Sequence, residues 1–296
     1  MQSLRWGIIG FGEAGSSIAR HISKSIREPV RVTDPLFNGA PLADFMRDRL
    51  AEVSLRVVPD IPALVKECDI VMSLVTPRAA RTVGAQAGKV RNHGLFIDFN
   101  SISPTEKRQL SRLFVSKAYV DGAILGSISG EGATTNLALA GSHAKRASAL
   151  LQAVGLRVRV TGAQVGTASA LKMCRSIFMK GMECLWVETL LASEEFKITE
   201  EVLRSIDQTL NAYGLRRMVN MLVTTHAAHC RRRAGEMESV AKMMTQIGMP
   251  ARMCRAAREF LAASHRSGLT DHFKGVVPDD VDAVIHYLRR SHGGKR

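Results

Sequence analysis

Residues 4–15, LRWGIIGFGEAG, run an apolar strand directly into Gly10-Phe11-Gly12-Glu13-Ala14-Gly15. This is the G-x-G-x-x-G spacing in the setting its chemistry requires. Trp6 to Ile9 supply the strand, and Ser16 to Ser23 supply a helix with Ile18 and Ile22 on one face. Gly10 permits a tight turn, Gly12 lets a backbone approach a pyrophosphate, and Gly15 lets helix and strand pack closely. The helix N-terminus then offers free N–H groups and the positive end of its dipole to phosphates. The next apolar run, Val30 to Thr33, ends at Asp34, where a carboxylate would meet the adenosine ribose 2′-OH. Gly10 to Gly15 and Asp34 are therefore the expected dinucleotide-binding residues. The competing reading is a glycine turn in a similar domain that binds no dinucleotide.

The chain has 296 residues, enough for one or two domains with an ample core. It contains no apolar stretch approaching the ~20 residues of a membrane span. Its first residues lack the layout of a signal peptide and enter the first strand almost at once. Five cysteines show neither C-x-x-C nor any ligand spacing. They predict no metal site and fit small buried thiols in a reducing cytoplasm. The formal net charge of +14 divides into about +8 over residues 1–160 and +6 over the rest. So even a spread argues for a basic solvated surface, or attraction of an anionic substrate and cofactor, and against a nucleic-acid-binding stripe.

Residues 1–163 alternate short apolar runs with helical patterns, as parallel βαβ units do. The expected strands are 5–10, 30–34, 55–58, 69–75, 95–99, 119–121, 136–140 and 156–161. After Gly162 the character changes. One long helix is expected from Val165 to about Leu191, then helices over 199–213, 215–230, 232–247, 250–265 and 278–290, with Gly214 as a stop signal. The predicted architecture is an α/β doubly wound parallel sheet over 1–163, followed by an all-α domain over 164–296 that serves substrate binding and dimerisation. Met218, Met221, Leu222, Met243 and Met244 are the candidate interface residues.

Two further loops belong at the carboxyl ends of strands, where ligands of open parallel sheets sit. DIVMSLVTP places Val75 and Thr76 there, and FIDFNSISP places Asn100 and Ser101 there. Within the long helix, Lys172 shares a face with Ser176, Met179 and Glu183 at ~100° per residue. Leu171, Ile177, Phe178, Leu185 and Trp186 occupy its other sides, which predicts a largely enclosed helix. A lysine there is costly to bury unless paired or lowered in pKa. It is either a structural partner of Glu183, or a group that exchanges a proton with a reacting oxygen.

GIIGFGEAG, DFNSISP, VDGAILGSISG and GTASALKMCRS, in that order over residues 4–190, resemble the β-hydroxyacid dehydrogenase superfamily. That superfamily includes 3-hydroxyisobutyrate and 6-phosphogluconate dehydrogenases. The resemblance implies hydride transfer between nicotinamide and a small, anionic hydroxy acid, with Lys172 exchanging the hydroxyl proton; Ser176 and Glu183, on the same helical face, are the further catalytic candidates. The implied cofactor is NAD, with NADP as the alternative, and the implied assembly is a homodimer or a multiple of one. The segment Asp121 to Ser127 lies where members bind substrate, but Leu125 stands in place of their serine, and Ser176 in place of an asparagine. Gly126 is retained, and Ser127 is a candidate to replace the lost hydroxyl. Beyond residue 190, HCRRRAGEME resembles a branch with its own C-terminal helical domain, from which His229, Arg232 and Arg233 could reach substrate. Two alternatives stay open: an imine reductase-like enzyme on the same scaffold, and a regulatory protein that binds the dinucleotide without turnover.

Overall fold

The computed structural model describes residues 4–37, 53–115, 118–126, 128, 132, 135–291 and 293. Ser127 lies outside them. No helix among the described residues is long and apolar enough to cross a membrane, and none of their His, Cys, Asp and Glu side chains cluster as a metal site.

The chain separates into two compact units, Met1–Ile177 and Phe178–Arg296. The expected limit at 163/164 marks the end of the sheet. The division of compact units falls further on, inside a helix.

The first unit is built on eight strands: β1 (Trp6–Ile9), β2 (Val30–Thr33), β3 (Leu55–Val57), β4 (Ile70–Ser73), β5 (Leu95–Asp98), β6 (Ala118–Ile124), β7 (Leu137–Ala140) and β8 (Val158–Gly162). They form one sheet in the order β3-β2-β1-β4-β5-β6-β7-β8. Every neighbouring pair is parallel except β6 and β7, which run antiparallel with Ile124 opposite Leu137. The expected parallel sheet is thus mostly parallel, with one antiparallel pair. Apolar runs reveal that a strand is covered on both faces, but they carry no information about its direction.

Alternate residues of the central strands enter different cores. Ile8, Met72 and Ile97 pack on one face with Ile18 and Ile22, and Ile9, Val71 and Phe96 pack on the other with Leu64 and Val83. The helices on those faces are α1 (Glu13–Ser23), α2 (Ile61–Glu67), α3 (Pro77–Lys89), α4 (Pro104–Ser111) and α5 (Ala144–Ala153). Each fully buried aliphatic or aromatic side chain contributes about 1.5–3 kcal/mol, so this two-sided burial dominates the unit's stability. From β1 the chain winds to β2 and β3 on one side, then crosses to β4 on the other. That reversal opens the crevice where open α/β sheets bind ligands.

Helix α6 (Thr167–Glu195) spans the division between units, and α7 (Thr199–Gln246), α8 (Arg252–Arg266), α9 (Leu269–His272) and α10 (Val281–Ser291) follow. Gly214 breaks the helical backbone of α7 at φ 63°, as the sequence suggested, but the helix then runs unbroken past residue 231. Arg231 to Arg233 favour helix, and no cap, Gly or Pro interrupts them. Met244 packs in the core of this unit with Ala241, Ala251 and Cys254, so it is no interface residue. Leu222 is exposed. The enclosed α6 is also corrected: Ile177 is 78% exposed, and Phe178, Leu185 and Val187 lie open as well. Apolar spacing shows which faces seek burial, not which element supplies it.

The closest approach in the sheet unit is at the glycine turn. A Cβ on Gly15 would stand 1.9 Å from the carbonyl oxygen of Gly10, whereas one on Gly12 would meet no atom within 4 Å. Gly15→Ala should therefore lower the melting temperature by more than about 5 °C or prevent folding, since helix and turn must separate. Gly12→Ala should shift it by less than about 2 °C. Thermal unfolding of the two variants checks the contrast.

Candidate functional site

The glycine turn adopts the backbone that its sequence demands. Gly10 has φ +93°, a conformation that L side chains rarely take, and its N–H donates to the Thr33 carbonyl at 3.0 Å. Gly12 is the N-cap of α1 and no side chain caps that end. The helix terminus is thus left for an anion, and the missing Cβ of Gly12 leaves the space to reach it. Ala14 and exposed Glu13 lie in the first turn.

Asp34 follows β2 directly. One carboxylate oxygen accepts the Phe11 N–H at 2.7 Å, and the other accepts the Leu36 N–H at 2.9 Å. Each oxygen keeps a lone pair for a hydroxyl donor. Gly10, Asp34, Pro59, Asp60, Val75 and Gln86 line a cavity of about 220 Å³ beside the turn. Phe11 contributes only backbone: its ring is buried in the core and lies 5.6 Å from that of Phe37. An uncapped helix, an open glycine and a fixed carboxylate fit the phosphates and ribose of a dinucleotide.

The loops after β4 and β5 are tied to each other. Asn100 is buried; its side-chain oxygen accepts the Val75 N–H at 2.7 Å, and its amide donates to Ser73 Oγ at 2.9 Å. The Asn100 side chain is thus a strut between the two loops that the sequence places at the ligand-bearing edge. Thr76 caps α3 by backbone position, without a side-chain hydrogen bond. Ser101, the next residue after the strut, is exposed.

Lys172 reaches that serine. Its Nζ donates to Ser101 Oγ at 2.6 Å. Burial, and then the nearby Lys107 ammonium, hold its pKa below the ordinary lysine value. A lysine with a neutral partner and a depressed pKa can carry a proton to and from a substrate oxygen.

Other predicted residues fall differently. Glu183 pairs with Lys180 at 2.8 Å on the exposed surface of α6, so it is not the partner of Lys172. Ser176 is exposed one turn beyond Lys172. The Leu125 N–H is taken by the Asn136 carbonyl at 2.9 Å, and its side chain packs beside Ala123, Ala138 and Ala168. Gly126 follows, half-buried. In the helical unit, His229 is half-buried, Arg233 donates to Thr225 Oγ1 at 2.8 Å, and Arg232 pairs with Glu236.

A group that sequence reasoning did not find lies beneath the site. Lys107 on α4 is fully buried, with Nζ 2.9 Å from Asp98 Oδ1 and 3.7 Å from Asp121 Oδ1. Tyr119 donates to Asp98 Oδ2 at 2.7 Å, and burial with the Asp98 charge pushes its pKa far up. Asp121 Oδ2 accepts the N–H groups of Gly166, Ala168 and Ser169 at the start of α6, and Oδ1 accepts the Ser169 hydroxyl. The signal available was Asp121 itself, quoted for its place in a substrate segment although it is wholly buried.

Residues 5–162 match the family described as the NAD binding domain of 6-phosphogluconate dehydrogenase, and residues 194–264 match a domain of unknown function, DUF1932. A conserved hypothetical protein from Sinorhizobium meliloti 1021 is 30% identical, with 98% of this chain and 97% of that one covered, and a TM-score of 0.59. A conserved protein of unknown function, whose structure is described as similar to 3-hydroxyacid dehydrogenases, is 29% identical over 92% of this chain and all of that one, with a TM-score of 0.60. An imine reductase from Myxococcus stipitatus, in complex with NADP+, has a TM-score of 0.73 with 96% and 99% of the two chains covered. At 17% identity that likeness concerns the fold alone.

Proposed function

This chain belongs to the family with the NAD binding domain of 6-phosphogluconate dehydrogenase, and from that premise we propose that it interconverts a small anionic hydroxy acid and its carbonyl form. The fold is that of NAD(P)-binding oxidoreductases of the hydroxyacid dehydrogenase and imine reductase type. The finer reading rests on one observation, the half-buried Lys172 ammonium on Ser101 Oγ at 2.6 Å, next to the strut that joins the loops after β4 and β5.

The turn Gly10 to Gly15 and the start of α1 would hold the pyrophosphate, and Asp34 would take the ribose hydroxyls. When bound, the nicotinamide accepts or returns a hydride. Lys172 does the proton work. In the oxidising direction its neutral amine takes the hydroxyl proton as the carbinol carbon loses hydride. In the reducing direction its ammonium returns a proton to the carbonyl oxygen. Ser101 orients the amine, and Gly126 supports the substrate from the neighbouring strand end. The spread basic charge favours an anionic substrate. Five free cysteines are in keeping with a reducing cytoplasm.

A second reading, reduction of C=N, is favoured by the imine reductase fold likeness. Imine chemistry has no need of a lysine at this position, so Lys172 weighs toward C=O.

The carboxylate of Asp34 accepts from a 2′-OH and repels a 2′-phosphate, so we propose NAD over NADP. NADH should bind at least about tenfold more tightly than NADPH in paired fluorescence titrations, and tighter NADPH binding would reverse the assignment.

Lys172→Ala should lower turnover by about 10²–10⁴-fold on the hydroxy acid that the wild type accepts from a panel, with NADH affinity unchanged. The panel should include cyclic imines. Because the lysine pKa is depressed, oxidation should rise with pH through that pKa and level off above it, while reduction should fall over the same range. A folded variant with wild-type turnover removes Lys172 from the chemistry.

We also propose that the chain works as a homodimer or a multiple of one. Ile177, Phe178, Leu185 and Val187 on α6, with Leu215, Val219 and Leu222 on α7, are large apolar side chains left exposed in the single chain. Light scattering at micromolar concentration should give at least twice the 32.3 kDa of one chain. A monomer mass excludes the assembly.

A further inference from the structure

We propose that Asp121 and Lys107 are positioning residues for Lys172, one clamping the first turn of its helix and the other bracing the loop that presents its Ser101 partner. The proposal rests on the reading of Lys172 as the proton-transfer group.

The clamp is a cap supplied from outside the helix. The first N–H groups of a helix lack intrahelical partners. In α6, those of Gly166, Ala168 and Ser169 converge on Asp121 Oδ2 at 2.9, 3.0 and 3.2 Å, and the Ser169 hydroxyl meets Oδ1 at 2.5 Å. The carboxylate thus meets the positive end of the helix dipole. Lys172 follows Ser169 by three residues, so fixing Ser169 fixes the turn that carries Lys172.

The brace begins at the same point. Lys107 Nζ lies 3.7 Å from Asp121 Oδ1 and 2.9 Å from Asp98 Oδ1, and it also donates to the carbonyls of Asp98 and Gly122. Asp98 Oδ1 accepts the Asn100 N–H at 2.9 Å, which sets the backbone leading to Ser101. Helix start and loop are therefore held by one buried charged group, and the hydrogen bond between Lys172 and Ser101 closes the ring on its exposed side.

The charges in this frame also act on Lys172. The titratable groups of the frame are Lys107 on α4, Asp98 on β5, and Asp121 and Tyr119 on β6. Among them the Lys107 ammonium opposes the Lys172 charge, adding to the effect of burial. Neutralising Lys107 with Asp98 should make Lys172 harder to deprotonate, and neutralising Asp121 alone should make it easier.

The test reads Lys172 directly. Acetylation of Lys172 by acetic anhydride, followed across pH by mass spectrometry of its peptide, reports its own titration without any substrate. In the charge-balanced variant Lys107→Met/Asp98→Asn the midpoint should rise by about one pH unit, and the pH–rate profile should move with it. In Asp121→Asn the midpoint should fall, and kcat should drop more than tenfold with NADH affinity within twofold of wild type. Folded variants that keep the wild-type midpoint and pH–rate profile overturn the proposal. So does failure of both variants to fold, which would assign the frame to stability alone. The Lys172→Ala turnover measurement stands apart from these readouts. If that variant keeps wild-type turnover, the proton-transfer reading falls, while the labelling midpoints still decide whether the frame acts on Lys172.

Discussion

A fully buried ammonium, that of Lys107, is the constraint on which the rest of the sheet unit's working edge depends. An ion removed from water costs several kcal/mol unless charge and hydrogen bonds replace its hydration. Lys107 regains them from the Asp98 carboxylate, from the carbonyls of Asp98 and Gly122, and from Asp121 at longer range. Those groups stand at the end of β5 and within β6. Satisfying the lysine therefore fixes the place where the chain leaves the sheet. Asp121 carries the constraint onward by capping α6, and Tyr119 holds the second oxygen of Asp98.

The frame also explains why two lysines of one helix behave oppositely. Lys180, exposed and paired with Glu183, has its pKa raised by that hydrogen bond and charge. Lys172 sits where burial and Lys107 lower it, and its partner is a neutral hydroxyl. Position within the charge field, not residue type, separates a solvated ion pair from a group suited to exchanging protons.

What the sequence disclosed follows the same physics. The glycine turn was legible because positive φ and a 1.9 Å approach leave glycine no substitute. The central strands were legible because burial on both faces requires unbroken apolar runs. The reversed direction of β7 was not, since a strand reads alike in either sense. Lys107 was invisible because PTEKRQLS, with Glu106 and Arg108 beside it, has the look of a solvated helix, and its carboxylates are brought to it only by sheet register. Glu183 was misread as the partner of Lys172 because helical periodicity places residues on a face without saying which of two lysines is in reach. Lys180, one turn away, wins on distance. The exposed faces of α6 were missed because an apolar pattern does not name its partner.

Leu125 shows how the end of β6 differs from what the resemblance implies. A serine there would offer a hydroxyl. The leucine instead packs beside Ala123, Ala138 and Ala168, and its N–H is spent on Asn136. The strand end has exchanged a polar contact for packing, so recognition at that point cannot come from the side chain of residue 125. The Ser101 hydroxyl and the Lys172 ammonium are polar groups of this edge, joined to each other at 2.6 Å. A substrate oxygen that replaces the serine as partner of Lys172 would gain a charge-assisted hydrogen bond and release Ser101 to donate in turn. One pair of side chains would then both select a substrate bearing an oxygen at the reacting carbon and supply its proton. Removing the Ser101 hydroxyl should then weaken substrate binding and turnover together, while the dinucleotide, held at the glycine turn, is left alone.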